Sequence, residues 1–224
     1  MADNDILKEG ISMYKNADYN GALAFFLSLP DDSEINNIEM AYYIGLCYAK
    51  LERYNDALLY LEQVVTGGSE LERVLQCRYV LAVIYANSGR KKLAEFELNK
   101  LLESGYRPAS VYSSLAYIAW KQDEIERSLD FYKKAIELEP ENATALNGMG
   151  YVLACENRDL TKALSFCKRA LDKRPNSPAC LDSVGWVYLK LGLMEDAFKY
   201  LNQARIMLPD NEEIAEHLRI AQES

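Results

Sequence analysis

Leu181-Asp182-Ser183-Val184-Gly185-Trp186-Val187-Tyr188 places Leu181, Val184, Gly185 and Tyr188 at the three-and-four spacing of one helix face. Ala197 follows Gly185 by twelve residues, Ala204 comes seven later, and Pro209 five later still. The same layout recurs up the chain. Gly10 pairs with Ala22, Gly45 with Ala57, Ala82 with Ala94, Ala116 with Ser128, and Gly150 with Ala163, the last with one extra residue between. Successive first members lie 35, 37, 34, 34 and 35 residues apart. An aromatic or apolar residue stands three after each: Met13, Tyr48, Tyr85, Ala119, Leu153 and Tyr188. Ala135, Ala170 and Ala204, followed by Pro140, Pro175 and Pro209, close the last three units.

A repeated unit of this length with two helical stripes is a helix–turn–helix hairpin. The small anchors fall where two helices cross, because a larger side chain would hold the backbones apart. Turn signals lie between them: Asn16-Ala17-Asp18, Asn87-Ser88-Gly89 and Leu191-Gly192. Proline ends the second helix by removing a backbone donor and disfavouring helix at the residue before it. No stretch alternates as a strand does, so the expected class is all-α.

Small-x-x-aromatic, an alanine twelve on, then Ala and Pro, resembles the tetratricopeptide repeat (TPR). The segments Asn142–Tyr151 and Leu181–Tyr188, with Ala197-Phe198-Lys199-Tyr200-Leu201 and Glu216-His217-Leu218, resemble bacterial TPR adaptor and scaffold proteins most. The resemblance implies a single α-α superhelix over residues 1–224. Its repeats would run about 3–36, 38–71, 75–108, 109–142, 143–177 and 178–211, with a capping helix at 211–223. Unit one departs by an early Pro30, and unit three by an insert at Gly67-Gly68-Ser69. In the last segment Ile214, Leu218 and Ile220 form an apolar face and Asp210 or Asn211 is the expected N-cap, as a terminal cap requires.

In the family the first helix of each unit lines a concave surface. Carried onto this sequence, that surface receives Tyr42, Tyr43, Tyr79, Tyr117, Trp120, Asn147, Tyr151, Asp182 and Trp186. It includes both tryptophans of the chain, and such rings offer large contact area at small entropic cost. Some of them, Tyr42, Tyr79 and Tyr117 above all, can equally pack between neighbouring first helices. The Lys/Asn clamp that TPR domains use for acidic C-terminal tails is absent: its cationic places hold Leu7, Ser110, Ser114, Ala179 and Ser183. The expected partner is a protein or peptide with an apolar, aromatic or basic segment.

Composition narrows the function further. With 34 Asp+Glu against 25 Lys+Arg, the net charge is −9. Residues 1–71 hold 12 acidic and 4 basic side chains, so the acidity concentrates there. Nucleic-acid binding draws on a basic surface, which this is not. No apolar run reaches the ~18–20 residues of a membrane-spanning helix. The start, Met1-Ala2-Asp3-Asn4-Asp5, lacks the layout of a signal peptide. Cys47, Cys77, Cys155, Cys167 and Cys180 are odd in number and form no Cys-x-x-Cys, so buried free thiols in a reducing compartment are expected. The resulting expectation is a cytoplasmic protein, an exported form with its leader removed being the alternative.

Enzyme signatures are missing. There is no phosphate-cradling glycine loop, no Gly-x-Ser-x-Gly elbow, no His-Glu-x-x-His and no cofactor or metal motif. The lone His217 has no sequence partner and is read as a surface or cap-packing residue. The acidic pairs Asp31-Asp32 and Glu212-Glu213 suit a turn and a helix start. The function read here is a non-enzymatic adaptor that binds a partner segment in an aromatic groove. The alternative is a scaffold that self-associates through its convex face or its ends.

Overall fold

The computed structural model describes residues 6–30 and 36–223. Among these residues there are thirteen helices and no strand. They run α1 Lys8–Lys15, α2 Tyr19–Leu27, α3 Asn37–Lys50, α4 Tyr54–Gly67, α5 Leu71–Asn87, α6 Lys91–Glu103, α7 Ala109–Trp120, α8 Ile125–Leu138, α9 Ala143–Cys155, α10 Leu160–Lys173, α11 Pro178–Lys190, α12 Met194–Met207 and α13 Glu212–Glu223. The chain divides into two compact units, Met1–Tyr106 and Arg107–Ser224. The acidic start and the Asp31-Asp32 pair lie outside the described residues.

The turns inside the hairpins share one construction. A residue with positive φ stands seven after each first anchor: Ala17, Glu52, Gly89, Asp123, Asn157 and Gly192. The following amide bonds back five residues, as Arg53 N to Tyr48 O (2.9 Å) and Leu193 N to Tyr188 O (3.0 Å) do. The left-handed residue's own amide bonds back three, as Gly192 N to Leu189 O does at 3.0 Å. This pair of bonds is the Schellman closure, which satisfies carbonyls at a helix end and turns the chain back. The fifth turn carries a second left-handed residue, Asp159, whose carboxylate accepts from Lys162 N. That residue absorbs the extra position between Gly150 and Ala163.

A left-handed backbone is strained for a residue with a Cβ. Glu52→Gly should therefore stabilise the first unit by about 0.5–1 kcal/mol. Gly192→Ala should cost a similar amount, since a Cβ at Gly192 meets nothing within 4 Å and only the φ of 75° opposes it. Urea titration of both variants checks the two signs. Equal midpoints for wild type and Glu52→Gly would mean that the turn holds no such strain.

Between hairpins, polar side chains start the next first helix. Asn36 accepts from Ile38 N and Glu39 N, Asn142 from Ala145 N, Ser177 from Cys180 N, and Asn211 from Ile214 N. These are N-caps, satisfying amides with no partner inside the helix. The insert at Gly67-Gly68-Ser69 lets the third first helix begin early, at Leu71.

The anchors sit in the core of each unit, and all twelve are buried. In the first unit a Cβ on Gly45 would lie 2.8 Å from Leu61. In the second, Gly185 meets Leu201 in the same way, and Gly150 meets Cys167 and the Ala163 carbonyl. Only glycine or another small residue admits these crossings. Around them Val184, Val187, Tyr188 and Leu201 form one core, and Ala116, Tyr132, Ala145 and Val152 another.

Candidate interaction surface

Helix α9 illustrates how the fold places side chains. A Cβ on Gly148 would lie 2.2 Å from the ring of Tyr132 on α8, while one on Gly150 would lie 2.4 Å from Cys167 Sγ on α10. The helix is thus seated on α8 by one glycine and on α10 by the other. Asn147 and Tyr151, four apart, stand on the stripe between these two contacts.

In the unit Arg107–Ser224, that stripe joins residues of α7, α11 and α13. Trp120 meets Tyr151 edge-on, with centroids 5.4 Å apart. Tyr117 is 45% exposed, and Lys121 Nζ lies over both rings, 5.7 Å from Tyr117 and 4.5 Å from Trp120. Asn147 Nδ2 donates to Ser183 Oγ at 3.0 Å. Asp182 is only 6% exposed, and its two oxygens lie 2.9 and 3.0 Å from His217 Nδ1. The His217 ring stacks on Trp186 at 4.1 Å and 23°, and Lys190 Nζ sits 4.5 Å over the indole. Tyr151 Oη donates to Glu213 Oε1 at 2.7 Å. Burial first, then Cys155 and Glu213, hold the Tyr151 phenol far above its ordinary range, so it stays a donor.

In the unit Met1–Tyr106 the corresponding residues pack on one another. Tyr43 stacks on Phe26 at 5.7 Å and meets Tyr14 and Tyr42 edge-on. Tyr42 Oη donates to Gln76 Oε1 at 2.6 Å, and Arg73 bonds Glu39 at 2.8 Å beneath the two tyrosine rings. Burial pushes the Tyr42 phenol up to about 12. Tyr79 is half-buried.

The structure therefore sorts the expected surface residues. Trp120, Tyr151, Trp186 and Asp182 are brought into one cluster, Tyr117 lies open beside it, and Asn147 holds the neighbouring first helix. Tyr42 and Tyr43 serve the packing of their own unit. Asp182 and Trp186 are not open: His217 covers both. Sequence reading missed Glu213 and His217 as members of the cluster. The signal was present in the spacing. Asn147–Ser183, Asp182–His217, Tyr42–Gln76 and Glu39–Arg73 are 36, 35, 34 and 34 apart, one repeat each. Polar partners one period apart are neighbours on successive first helices.

Four of the five cysteines are buried and all are free. No group of three or more His, Cys, Asp or Glu that could hold a metal occurs among the described residues. Nor does any described helix have the length and apolarity to cross a membrane.

Stacked helical hairpins with small-residue crossings define an α-helical repeat protein. Two tetratricopeptide-repeat models match, over residues 113–178 and 39–66. These matches fall in both units and support a tetratricopeptide-repeat protein. A TPR repeat-containing protein of Methanocaldococcus jannaschii is 29% identical over 147 residues, 63% of this chain. The chain spans about a quarter of that relative's length (25%). Among solved structures, a tetratricopeptide repeat protein from Parabacteroides merdae aligns with a TM-score of 0.71 at 16% identity, covering 97% of this chain and 83% of that one. A chain of the APC/C hetero-tetramer Cut9–Hcn1 aligns at 0.78 and 14%, covering 96% and 42%. YrrB, described as a TPR protein with an unusual peptide-binding site, aligns at 0.55 and 19%, covering 80% and 91%.

Proposed function

We propose that the chain is a non-enzymatic protein–protein interaction module. It holds an extended or helical segment of a partner protein on the face presented by the first helices of residues 107–224. The observation that carries this reading is the run Tyr117–Trp120–Tyr151, a half-open row of rings with Lys121 above it. Rings with polar edges are the commonest anchors of protein interfaces, and a row of them spares a partner segment the cost of ordering loose side chains. The likeness in fold to a protein described as having a peptide-binding site supports the same reading. The partner segment is apolar, aromatic or basic.

Tyr117→Ala with Trp120→Ala should weaken partner capture by ~2–4 kcal/mol, the size of hot-spot losses, with helical content near wild type. Pull-down from source-cell lysate, quantified for both proteins, checks this. Equal recovery by the two would remove the face from consideration.

A second reading, self-assembly through an end of the repeat stack, draws on one patch. Ile206 is 71% exposed, with Met207 and Leu208 each 43% exposed beside it at the end of α12. Light scattering across a concentration series separates the two. A constant monomer mass argues against assembly.

A further inference from the structure

Helix α13 touches the unit Arg107–Ser224 along two stripes. Ile214 packs with Leu181 and Ala204, and Ala221 with Val184 and Leu201, which is what covering the end of a repeat stack requires. Beside this runs a polar stripe, Glu213 and His217, four residues apart. Glu213 accepts from Tyr151 on α9, 62 residues back and two first helices away. His217 faces Asp182 and lies flat on Trp186. These three residues are ones that the first helices present on the face proposed above for a partner. A cap that only hid apolar surface would need none of these contacts.

Two buried polar atoms of that face lack partners with α13 in place. Trp186 Nε1 and Asn147 Oδ1 are buried with no hydrogen-bond partner. A buried donor and a buried acceptor left unmade favour any segment that supplies their complements. The cluster itself states what else such a segment must bring. The Tyr151 hydroxyl asks for an acceptor. Asp182, beside the Trp186 ring, asks for a flat N–H donor, which imidazole and guanidinium both provide.

We infer that α13 is a resident internal ligand of this face, and that the external one is an amphipathic protein helix carrying a carboxylate four residues ahead of a His or Arg, which gains Tyr151, Asp182 and Trp186 by displacing α13. This rests on the reading that the face takes a partner segment. The tether keeps α13 at high effective concentration, so it blocks weak competitors and yields to a segment that binds better.

Hydrogen exchange on the full chain, with a synthetic peptide of residues 211–223 as probe, tests the inference. In the wild type, α13 amides should exchange at least tenfold faster than those of α11 and α12, because α13 opens alone. His217→Ala should speed α13 a further tenfold or more and change α11 and α12 less than twofold. The peptide should bind His217→Ala at least tenfold more tightly than wild type, and Asp182→Ala added to that variant should abolish the gain. If His217→Ala also loosens α11, Glu213→Ala, which removes only the bond to Tyr151, must give the same selective release of α13. Exchange of α13 together with α11 and α12 as one cooperative block would overturn the inference, as would equal peptide binding by wild type and His217→Ala. Either result leaves the Tyr117–Trp120 reading standing. That reading falls instead if the Tyr117/Trp120 variant captures partner as well as wild type.

Discussion

Gly150→Leu should disorder the α9–α10 hairpin. The Cβ alone would stand 2.4 Å from Cys167 Sγ and 2.7 Å from the Ala163 carbonyl oxygen. The first contact could relax by a sulfur shift, but the second is backbone of the partner helix and cannot yield without separating α9 from α10. Replacing Gly by Ala within a helix normally gains about 1 kcal/mol of propensity. Here overpacking of ~1–3 kcal/mol opposes that gain, so Gly150→Ala should come out destabilised or at best neutral. The three further carbons of leucine have no void to enter, and the loss should exceed ~3 kcal/mol. In a repeat stack the damage is local first. Amides of α9 and α10 should lose protection while those of α3 and α4 in the other unit keep it. An unchanged urea midpoint for Gly150→Leu would show that the crossing is looser than described.

Tyr132→Ala should be comparably severe for a complementary reason. Tyr132 is buried, and its ring fills the space that Gly148 leaves on α9. Removing the ring opens a cavity between α8 and α9 that the backbone cannot close, at a cost of ~3–5 kcal/mol. Tyr132→Phe keeps the shape and should stay within about 1 kcal/mol of wild type. The consequence for the surface is direct. Asn147 and Tyr151 owe their position to the seating of Gly148 on Tyr132, so their bonds to Ser183 and Glu213 should loosen with it. Gly148→Ala combined with Tyr132→Leu refills part of the space. That pair should be less damaging than the sum of its members, a coupling a double-mutant cycle reads directly. Strict additivity would mean that ring and glycine are not in contact.

Much of this architecture was legible in the chain, since a close crossing of two helices tolerates few residue types. Gly45, Gly150 and Gly185 mark such crossings whatever surrounds them, and the spacing of twelve residues to Ala57 and Ala197, and thirteen to Ala163, follows from two helices and a tight turn. The extra residue after Gly150 was visible as well, and the second left-handed residue at Asp159 is its physical resolution. The surface was only half legible. The family resemblance implies which residues leave the first helices on one side, and it is from there that Trp120, Tyr151, Asp182 and Trp186 were expected on a shared face. It does not report what lies over them. Asp182 looks like an open groove carboxylate until His217, one repeat later on a segment read as a simple cap, is seen facing it. Tyr43 was expected on the groove for the same reason, yet Phe26 of α2 stacks on its ring. Partners contributed by a second element cannot be inferred from the stripe of the first.

The central claim is that a partner segment lies against the first helices of residues 107–224. Site-specific photo-cross-linking tests it most directly. A photoreactive phenylalanine at position 117 is compared with one at position 198, where Phe198 is 43% exposed on the second helix α12. The account predicts a partner cross-linked from position 117 and lost when Trp120→Ala is added, with little or none from position 198. Cross-linking from 198 alone, or equally from both, would contradict it.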